Sequence, residues 1–508
     1  MIKHRGYSRL IHRLSDSKLC FSSLILSLAY LLGFEPFGYR FIGLLSVSIL
    51  FYFALKLEER KAALLFFLFG FFLYCFGLYW LYISIHTVSG APKVLALVLI
   101  GLLSVYLSFF HSVFGFFFVK LHRKISNEWI SLLFIAPSLW VLLEITRGYL
   151  LTGFPWFSLG YMESARLISS WAPIGGVYLV SLIMAMMASA ILLIFLKKRV
   201  IGSSIIIIAI VSSYFLSMHD WTIRSIESPF RVALVQGNIQ QDRKWLKSEF
   251  ENTLTHYASS LEDLEGIDLV IWPEVAIPSL KRNVESYLQY LETQMIEKDI
   301  RMLILGINTQ DDSGRVYNSM ISLGAEKNIY QKRHLVPFGE YFPVTERIRS
   351  WMRSMNLPSR DISQGDNKQE HFHLGDLSMA PSICYEDIFG SDLLDFFPQS
   401  DVLINITNNA WFGQSIASAQ HLQMSRMRAI ESGRYLLRST NTGISAIIDP
   451  KGKMQVTSRP YEYSVITGNF FPMEGRTLYM LWGDAFSLLL SIFLMTMGAI
   501  IGMLRFKN

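Results

Sequence analysis

The chain contains 508 residues, of which 52% are hydrophobic and only 17% are charged. This composition excludes a disordered protein and is unusual for a soluble one, so it indicates a membrane protein. The formal net charge of +6 would suit a nucleic-acid binder only if the basic residues formed a surface patch. They are instead spaced between apolar stretches, and no nucleic-acid partner is predicted.

Apolar runs long enough to cross a bilayer occur seven times in the first 220 residues, and an eighth closes the chain. A cleavable signal peptide is a rival interpretation of the first run, but no small-residue cleavage site follows it and further spans do. We therefore predict an N-terminal membrane domain over 1–221, a globular domain over 222–475 and a last transmembrane helix within 476–508. The approximate bounds of the runs are 19–37, 41–57, 62–85, 92–119, 127–147, 174–196, 200–217 and 482–504.

Basic residues favour one side of the predicted membrane domain. Sixteen Lys and Arg residues lie at the turns of that side and four at the turns of the other. By the positive-inside rule, both termini are cytoplasmic and the globular domain is exported, which means the periplasm of a bacterium with an inner membrane. The larger group is Lys3, Arg5, Arg9, Arg13, Lys18, Lys56, Arg60, Lys61, Lys120, Arg123, Lys124, Lys197, Lys198, Arg199, Arg505 and Lys507, and the smaller is Arg40, Lys93, Arg147 and Arg166.

The connection at 148–173 is apolar but lacks a run of helical length, and it includes Phe154 and Trp156. Two interpretations are equally good. It is either an aromatic anchor at the membrane interface or a segment that dips into the bilayer where protein shields its backbone.

The globular domain alternates short β-rich runs with amphipathic helices, which predicts an α/β layered fold. Predicted helices cover 284–298 and 416–432, and a hairpin turn is predicted at 449–453. The three cysteines are too scattered for a disulfide framework, and no HExxH or CxxC pattern indicates a metal. Predicted strands cover 232–235, 269–272, 302–307, 319–323, 378–383, 402–406 and 444–448.

Polar side chains follow several of these strands directly. Glu274 comes after one buried strand and Cys384 after another, while Lys332 and Glu340 lie in a loop between them. Ligand sites of α/β sheets collect at the carboxyl ends of strands. A thiol, a carboxylate and a lysine meeting there would suffice for nucleophilic acyl chemistry. The spacing alone leaves structural roles open for each of them.

The motifs around these residues resemble those of the nitrilase superfamily, with its Glu-Lys-Cys triad. The motifs that carry the resemblance are Trp272-Pro-Glu274, Lys332 with His334-Leu-Val-Pro-Phe-Gly-Glu340, Cys384-Tyr-Glu386, Val235-Gln-Gly-Asn238, Ala410-Trp-Phe-Gly413, Gln420-His421, Arg426 to Arg434 and Arg438 to Ser445. Together with the predicted spans they are similar to one branch, the apolipoprotein N-acyltransferases, over essentially the whole chain. One departure is Asn409, where that branch is expected to carry Asp.

The resemblance implies an αββα sandwich for the exported domain and a role for each candidate residue. Cys384 would take an acyl chain from a phospholipid of phosphatidylethanolamine type, Glu274 would act as general base and Lys332 would stabilise the oxyanion. The acceptor would be the α-amine of a diacylglyceryl-cysteine at the start of an apolipoprotein, and no cofactor is implied. Supporting roles fall to Glu340 beside Lys332, to Tyr385 and Glu386 beside the nucleophile, and to Trp245 on a loop at the substrate entrance.

Two other functions remain possible at this stage. One is a membrane-anchored amidase that uses the same triad with water as acceptor, and the other is a non-catalytic protein that binds or transports lipid. Few charges fall at the centres of the spans, which argues against transport, and Glu144 is the nearest exception. We expect a monomer, a structural role for His421, and ion pairs within the group Arg426, Arg428, Glu431 and Arg434.

Overall fold

The computed structural model describes residues 15–341, 345–354 and 361–505. These residues form two compact units: a helical unit within 1–81, 94–219 and 482–508, and an α/β unit within 82–93 and 220–481. The boundaries predicted after residues 221 and 475 stay predictions. The basic residues Lys3, Arg5, Arg9, Arg13 and Lys507 lie outside the described residues.

The helical unit contains long apolar helices. Among the described residues, six helical stretches are long and apolar enough to cross a bilayer. The two first helices are shorter, at 16 and 17 residues. The helices are Asp16–Leu31, Arg40–Lys56, Glu59–Gly77, Lys93–Ile125, Ala136–Tyr149, Ala172–Phe195, Arg199–Ser217 and Ala485–Arg505.

The third predicted run, 62–85, extends too far. Its helix ends at Gly77, and residues 83–88 form a short π-helix that belongs to the α/β unit. Hydropathy does not mark this end because residues 78–85 remain largely apolar after the helix has stopped. The apolar run is therefore longer than the helix that it contains.

Two charged residues of the helical unit, Glu144 and Arg147, are buried within the protein. Arg147 was expected in a loop, but it is 2% exposed within the helix Ala136–Tyr149 and donates to Ser158 Oγ at 3.0 Å. Glu144 is buried within the protein and accepts from Trp140 Nε1 at 2.8 Å. Both groups thus have polar partners inside the unit, and hydropathy alone does not reveal such partners.

The connection 148–173 packs inside the helical unit through three short 3₁₀ turns. Trp156, Phe157 and Leu159 are buried, and Leu159 N donates to Glu144 Oε1 at 2.8 Å. Protein therefore shields the part of the connection around these residues, which is the condition for a segment that dips into the bilayer. Both interpretations of the connection stay predictions.

The α/β unit contains two large sheets. The strands of the unit are β1 Ile223–Arg224, β2 Phe230–Gln236, β3 Leu269–Ile271, β4 Ile277–Leu280, β5 Met302–Gln310, β6 Val316–Gly324, β7 Ile329–Gln331, β8 Phe372–Leu374, β9 Leu377–Ile383, β10 Val402–Thr407, β11 Tyr435–Thr440, β12 Ala446–Ile448, β13 Met454–Thr457, β14 Ser464–Phe470 and β15 Met473–Glu474. One large sheet has the strand order β14-β2-β3-β5-β6-β7, with β4 paired to β5, and the other has the order β13-β12-β11-β10-β9-β8. Within the second sheet, β9, β10 and β11 run parallel.

Side chains that alternate between the two faces of a strand produce the layers of the α/β unit. In β2, Val232 and Leu234 join a core shared with the second sheet, while Ala233 and Val235 join a core shared with helices. Successive side chains of a strand point to opposite faces, so both faces of this strand are buried. The predicted α/β layered fold is thereby confirmed.

The predicted elements of this unit match the observed ones closely. Helices Phe250–Ser259, Glu285–Glu297, Glu346–Ser354, Ala417–Ser432 and Leu478–Trp482 complete the unit. The predicted hairpin forms where Asp449 N donates to Lys453 O at 2.9 Å. Arg428 pairs with Glu431 at 2.8 Å, as expected, whereas Arg434 Nε donates to the backbone oxygen of Ser400 at 2.6 Å.

Candidate active site

Cys384 lies where β9 ends and a 3₁₀ turn, Cys384–Ile388, begins. Its φ of +54° is left-handed, a conformation that non-glycine residues adopt rarely and that often marks a functional site. The neighbouring parallel strand β10 supplies Asn405, whose Nδ2 lies 3.5 Å from the carbonyl oxygen of Cys384. The carboxyl edge of this sheet therefore holds the candidate nucleophile in a sharp turn.

Glu274 follows β3 in the other sheet and is 6% exposed. Its Oε1 accepts from Asn318 Nδ2 at 2.7 Å, and its Oε2 accepts from Asn408 N at 2.7 Å. Asn318 belongs to β6 and Asn408 follows β10, so the carboxylate is bound by residues of both sheets. Both oxygens are fixed in direction, as a proton acceptor requires.

The turn that carries Glu274 needs a glycine beside it. A Cβ on Gly306 would lie 2.6 Å from the carbonyl oxygen of Pro273 and 2.7 Å from Cα of Glu274. Gly306 N instead donates to that carbonyl oxygen at 3.2 Å. The next residue, Val275, has a φ of +46°, so the chain turns sharply at this point.

Lys332 follows β7, and its side chain is 1% exposed. Its Nζ lies 2.8 Å from Glu340 Oε1 and 3.7 Å from Glu274 Oε1. Burial opposes the charged form, but the carboxylates of Glu340 and Glu274 outweigh it and raise the pKa of Lys332 above its ordinary value. The lysine is therefore a fixed buried cation.

Glu340 and Asn318 complete this cluster. Glu340 Oε2 accepts from Val336 N at 2.8 Å, within the same loop. Asn318 Nδ2 lies 3.2 Å from Glu340 Oε1 as well as 2.7 Å from Glu274 Oε1. Asn318, which is 4% exposed, was not predicted as a site residue, because no motif marks it and its contacts lie far away along the chain.

The charges of this cluster act on the thiol of Cys384. Burial and the negative charge of Glu274 raise the pKa of Cys384 above its ordinary value, while Lys332 lowers it and Glu340 raises it. The lowering of the thiol pKa by Lys332 is therefore outweighed by burial and the carboxylates. The resting thiol is protonated at neutral pH, so its use as a nucleophile requires a base.

Glu386 and Tyr385 differ in their surroundings. Glu386 is 1% exposed and accepts hydrogen bonds from Ile383 N at 2.6 Å, Arg333 N at 2.6 Å and Tyr330 Oη at 2.9 Å. It thus ties the Cys384 turn to the segment after Lys332. Tyr385 packs edge-on against Phe389 with ring centroids 5.0 Å apart.

A buried charged network lies next to the Cys384 turn. Asp387 Oδ1 lies 2.6 Å from His421 Nε2, and Arg438 Nη1 donates to Asp387 Oδ2 at 2.8 Å. Burial, followed by the charge of Arg438, lowers the pKa of His421, so the ring is neutral at neutral pH. The other ring nitrogen faces Asn409 Nδ2 at 3.4 Å. Both ring nitrogens of His421 thus have partners, as its predicted structural role requires.

Trp245 is 54% exposed on the segment that follows β2. The preceding residue, Lys244, is buried, and its Nζ donates to the carbonyl oxygen of Glu274 at 3.1 Å. The structure therefore brings Glu274, Lys332, Glu340 and Cys384 into one electrostatic cluster and leaves the Trp245 side chain largely open to solvent.

Among the described residues, no group of three or more His, Cys, Asp or Glu side chains could hold a metal ion. The cluster at Cys384 thus consists of a thiol, two carboxylates and an ammonium.

Comparisons with known proteins agree with this architecture. Residues 231–470 match the family model described as carbon-nitrogen hydrolase, which defines the class of the α/β unit. Residues 26–190 match the model of the apolipoprotein N-acyltransferase N-terminal domain. Both parts of the chain thus have recognised relatives.

Curated relatives cover nearly the whole chain. The apolipoprotein N-acyltransferase of Methylococcus capsulatus is 36% identical over 460 residues, which cover 89% of this chain and 90% of that protein. Its namesakes in Vibrio cholerae and Pseudomonas putida are 34% and 33% identical, again covering 89% of this chain and 91% and 90% of theirs. The chain belongs to the apolipoprotein N-acyltransferase family.

Proposed function

We propose that this chain transfers an acyl group from a phospholipid to the α-amine of the N-terminal diacylglyceryl-cysteine of an apolipoprotein. The products are a lysophospholipid and a triacylated lipoprotein. The observation that carries the proposal is the cluster in which the Lys332 ammonium lies between Glu340 and Glu274 and all three charges act on the Cys384 thiol. Such a cluster suits covalent acyl transfer.

The first half-reaction forms a thioester. Glu274 accepts the Cys384 proton as the sulfur attacks the ester carbonyl carbon, and Lys332 stabilises the oxyanion. The tetrahedral intermediate then expels the lysophospholipid oxygen, which receives from Glu274 the proton that came from Cys384. Because the raised thiol pKa leaves little thiolate at rest, proton removal by Glu274 is the step that starts the reaction.

The second half-reaction uses the stored acyl group. The free amine of the apolipoprotein attacks the thioester carbonyl, Glu274 accepts the amine proton, and Lys332 again stabilises the oxyanion. The C–S bond breaks, the thiolate of Cys384 takes the proton from Glu274, and an amide results. Water competes with the amine at this step, so a site that opens to lipid protects the thioester.

Four further residues support these steps. Glu340 keeps Lys332 charged through their 2.8 Å contact, and Glu386 fixes the Cys384 turn through its buried hydrogen bonds. Tyr385 lies directly after the nucleophile and borders the site. Trp245, exposed and aromatic, contributes an apolar surface for lipid at the entrance.

We also propose the finer topology. Eight helices cross the inner membrane of a bacterium, with both termini cytoplasmic and the α/β domain in the periplasm. An α-helix rises about 1.5 Å per residue, so the helices of 16 and 17 residues would reach about 24 to 26 Å and would need a locally thin bilayer or flanking residues to span. The domain bounds 1–221, 222–475 and 476–508, the monomeric state and the phosphatidylethanolamine-type donor complete this proposal.

Intact-protein mass spectrometry tests the proposed function. The purified full-length chain is incubated with phosphatidylethanolamine and no acceptor, and the peptide that contains Cys384 is examined. We expect a fatty-acyl mass that hydroxylamine removes and that a diacylglyceryl-cysteine peptide discharges. Cys384→Ala should abolish the adduct, whereas Cys20→Ala and Cys75→Ala serve as matched controls that should keep it.

Other outcomes identify the two rival functions. Rapid discharge of the adduct by water, with no amide product, would favour an amidase or lipase. A folded protein that forms no adduct would favour a protein that only binds or transports lipid. An active Cys384→Ala variant would contradict the mechanism altogether.

A further inference from the structure

A second buried lysine lies at Glu274, and the mechanism above does not use it. Lys244 is 2% exposed, and its Nζ donates to the carbonyl oxygen of Glu274 at 3.1 Å. In the part of the chain that the structure describes, this is the one hydrogen bond of the ammonium. A buried charge costs free energy unless it is paired, so a residue that only filled space here would be apolar.

The segment that carries Lys244 also reaches Glu274 by a second route. Gln241 Oε1 accepts from Asn408 Nδ2 at 2.8 Å, and the backbone N–H of Asn408 donates to Glu274 Oε2 at 2.7 Å. Lys244 therefore contacts the main chain of Glu274, and Gln241 contacts the residue that binds its carboxylate. Trp245 follows Lys244 directly, so the exposed aromatic ring and the lysine that contacts Glu274 lie on one short segment.

We propose that Lys244 is a positioning residue: its ammonium fixes the turn that carries Glu274 and so links the Trp245 segment to proton removal from Cys384. This inference rests on the function proposed above. The turn that it fixes is sharp, since Val275 has a φ of +46°. A buried donor that binds such a turn restricts the movement of the catalytic side chain that the turn carries. Loss of the donor would let the carboxylate shift relative to the thiol, and small shifts of reacting groups slow catalysis strongly.

The protonation of Lys244 offers a readout that a purely structural role would not move. Burial lowers the pKa of Lys244 to about 8, and the charge of Glu274 opposes this shift. The other groups of the site are Lys332, Glu340 and Cys384, and the pKa values of Lys332 and Cys384 lie above their ordinary values. The ammonium is thus present below about pH 8 and is lost as the pH rises above it.

The experiment measures the single-turnover rate of acyl-Cys384 formation from phosphatidylethanolamine, in the full-length protein, between about pH 6.5 and 9.5. Lys244→Met keeps most of the length of the side chain but removes its donor and charge, and we expect a rate at least about tenfold lower. Lys244→Gln keeps a donor and should recover part of the rate. The matched control is Lys247→Met, an exposed lysine three residues further on, which should acylate like the wild type.

We expect the wild-type rate to fall above about pH 8 and this decline to be absent in Lys244→Met. A wild-type rate in Lys244→Met, or the same alkaline decline in that variant, would overturn the inference and leave the proposed function intact. If Lys244→Met does not fold, Lys244→Gln and the wild-type pH profile decide, and a flat wild-type profile overturns the inference. A wild-type protein that forms no acyl-Cys384 would instead contradict the proposed function.

Discussion

The side-chain amide of Asn318 donates a hydrogen bond of 2.7 Å to the carboxylate of Glu274. The same nitrogen lies 3.2 Å from Glu340, so one amide on β6 binds both carboxylates that flank Lys332. Two like charges next to one lysine repel each other unless donors hold them apart. Asn318 therefore stabilises the arrangement in which Glu274 is the proposed base and Glu340 is the partner of Lys332.

Asn318→Asp should impair acyl transfer without a change in side-chain volume. The variant removes the donor and adds a third carboxylate to the cluster. A hydrogen bond to a charged group contributes about 1.5 to 3 kcal/mol, so we expect acyl-Cys384 to form about 10 to 100 times more slowly. Asn328→Asp is the control, because that amide binds the backbone of His371 instead. Equal rates in Asn318→Asp and the wild type would contradict this role.

Glu274→Gln should make the alkylation of Cys384 faster and its enzymatic acylation slower. The charge of Glu274 raises the pKa of the thiol, so its removal should lower that pKa and increase the fraction of thiolate at pH 8. Alkylation by iodoacetamide, followed by mass spectrometry in a Cys20→Ala, Cys75→Ala background, should therefore become faster. Enzymatic acylation should be lost, because the variant has no base.

Lys332→Met provides the converse test of the same electrostatics. Lys332 lowers the pKa of Cys384, so its removal should make alkylation slower than in the wild type at every pH. Acylation should be lost here as well, since the oxyanion has no cation. Slower alkylation in Glu274→Gln, or faster alkylation in Lys332→Met, would show that the two charges do not act on the thiol as described.

Features that depend on local sequence were predictable. Cys384 directly follows β9, and Glu274 lies three residues after the end of β3, so each candidate residue comes just after a short strand. The chemistry of the cluster followed from such positions together with the motifs. What local sequence cannot supply is which residues of another strand reach the site. Asn318 and Asn408 bind Glu274 from two different sheets, and their distance along the chain hides this contact.

In the helical unit, hydropathy located the helices but not their ends or their interior. Apolar residues continue beyond Gly77 after the helix has ended, so no change in composition marks the boundary. Arg147 looked like a loop residue because charges usually flank membrane spans. Its burial beside Ser158 depends on how the connection 148–173 folds back onto its own helix, which is a tertiary contact.

Asp387→Asn should destabilise the α/β unit. Burial opposes ionisation, but His421 and Arg438 outweigh it and hold the pKa of Asp387 below its ordinary value. The variant leaves Arg438 as a buried cation without its carboxylate, a change that costs about 3 to 5 kcal/mol in comparable cases. The unfolding midpoint of the purified protein in detergent, followed by tryptophan fluorescence, should fall clearly.

The pH dependence of this effect has a defined sign. A carboxyl group whose folded pKa lies below its unfolded value of about 3.9 stabilises the fold above that pH. This stabilising contribution is lost as the pH falls through the pKa of Asp387 in the folded protein. The difference in midpoint between the wild type and Asp387→Asn should therefore be full at pH 7 and shrink below about pH 4. A difference that stays constant down to acid pH would contradict the ionised pair with Arg438.

Trp245→Ala should weaken the use of lipid substrate and leave the fold intact. The ring is 54% exposed, so its removal opens no cavity and the unfolding midpoint should stay within experimental error. Burial of a tryptophan against an acyl chain contributes about 1.5 to 3 kcal/mol, so we expect roughly 10 to 100 times more phospholipid to be needed for half-maximal acylation. Tyr290→Ala, which removes a ring that is 49% exposed on the helix Glu285–Glu297, is the control and should change neither quantity. Trp245→Phe should return the phospholipid requirement most of the way to the wild-type value, because it restores an aromatic surface. If Trp245→Ala lowered the maximal rate but not the phospholipid requirement, the ring would act on the chemical step and not on lipid binding.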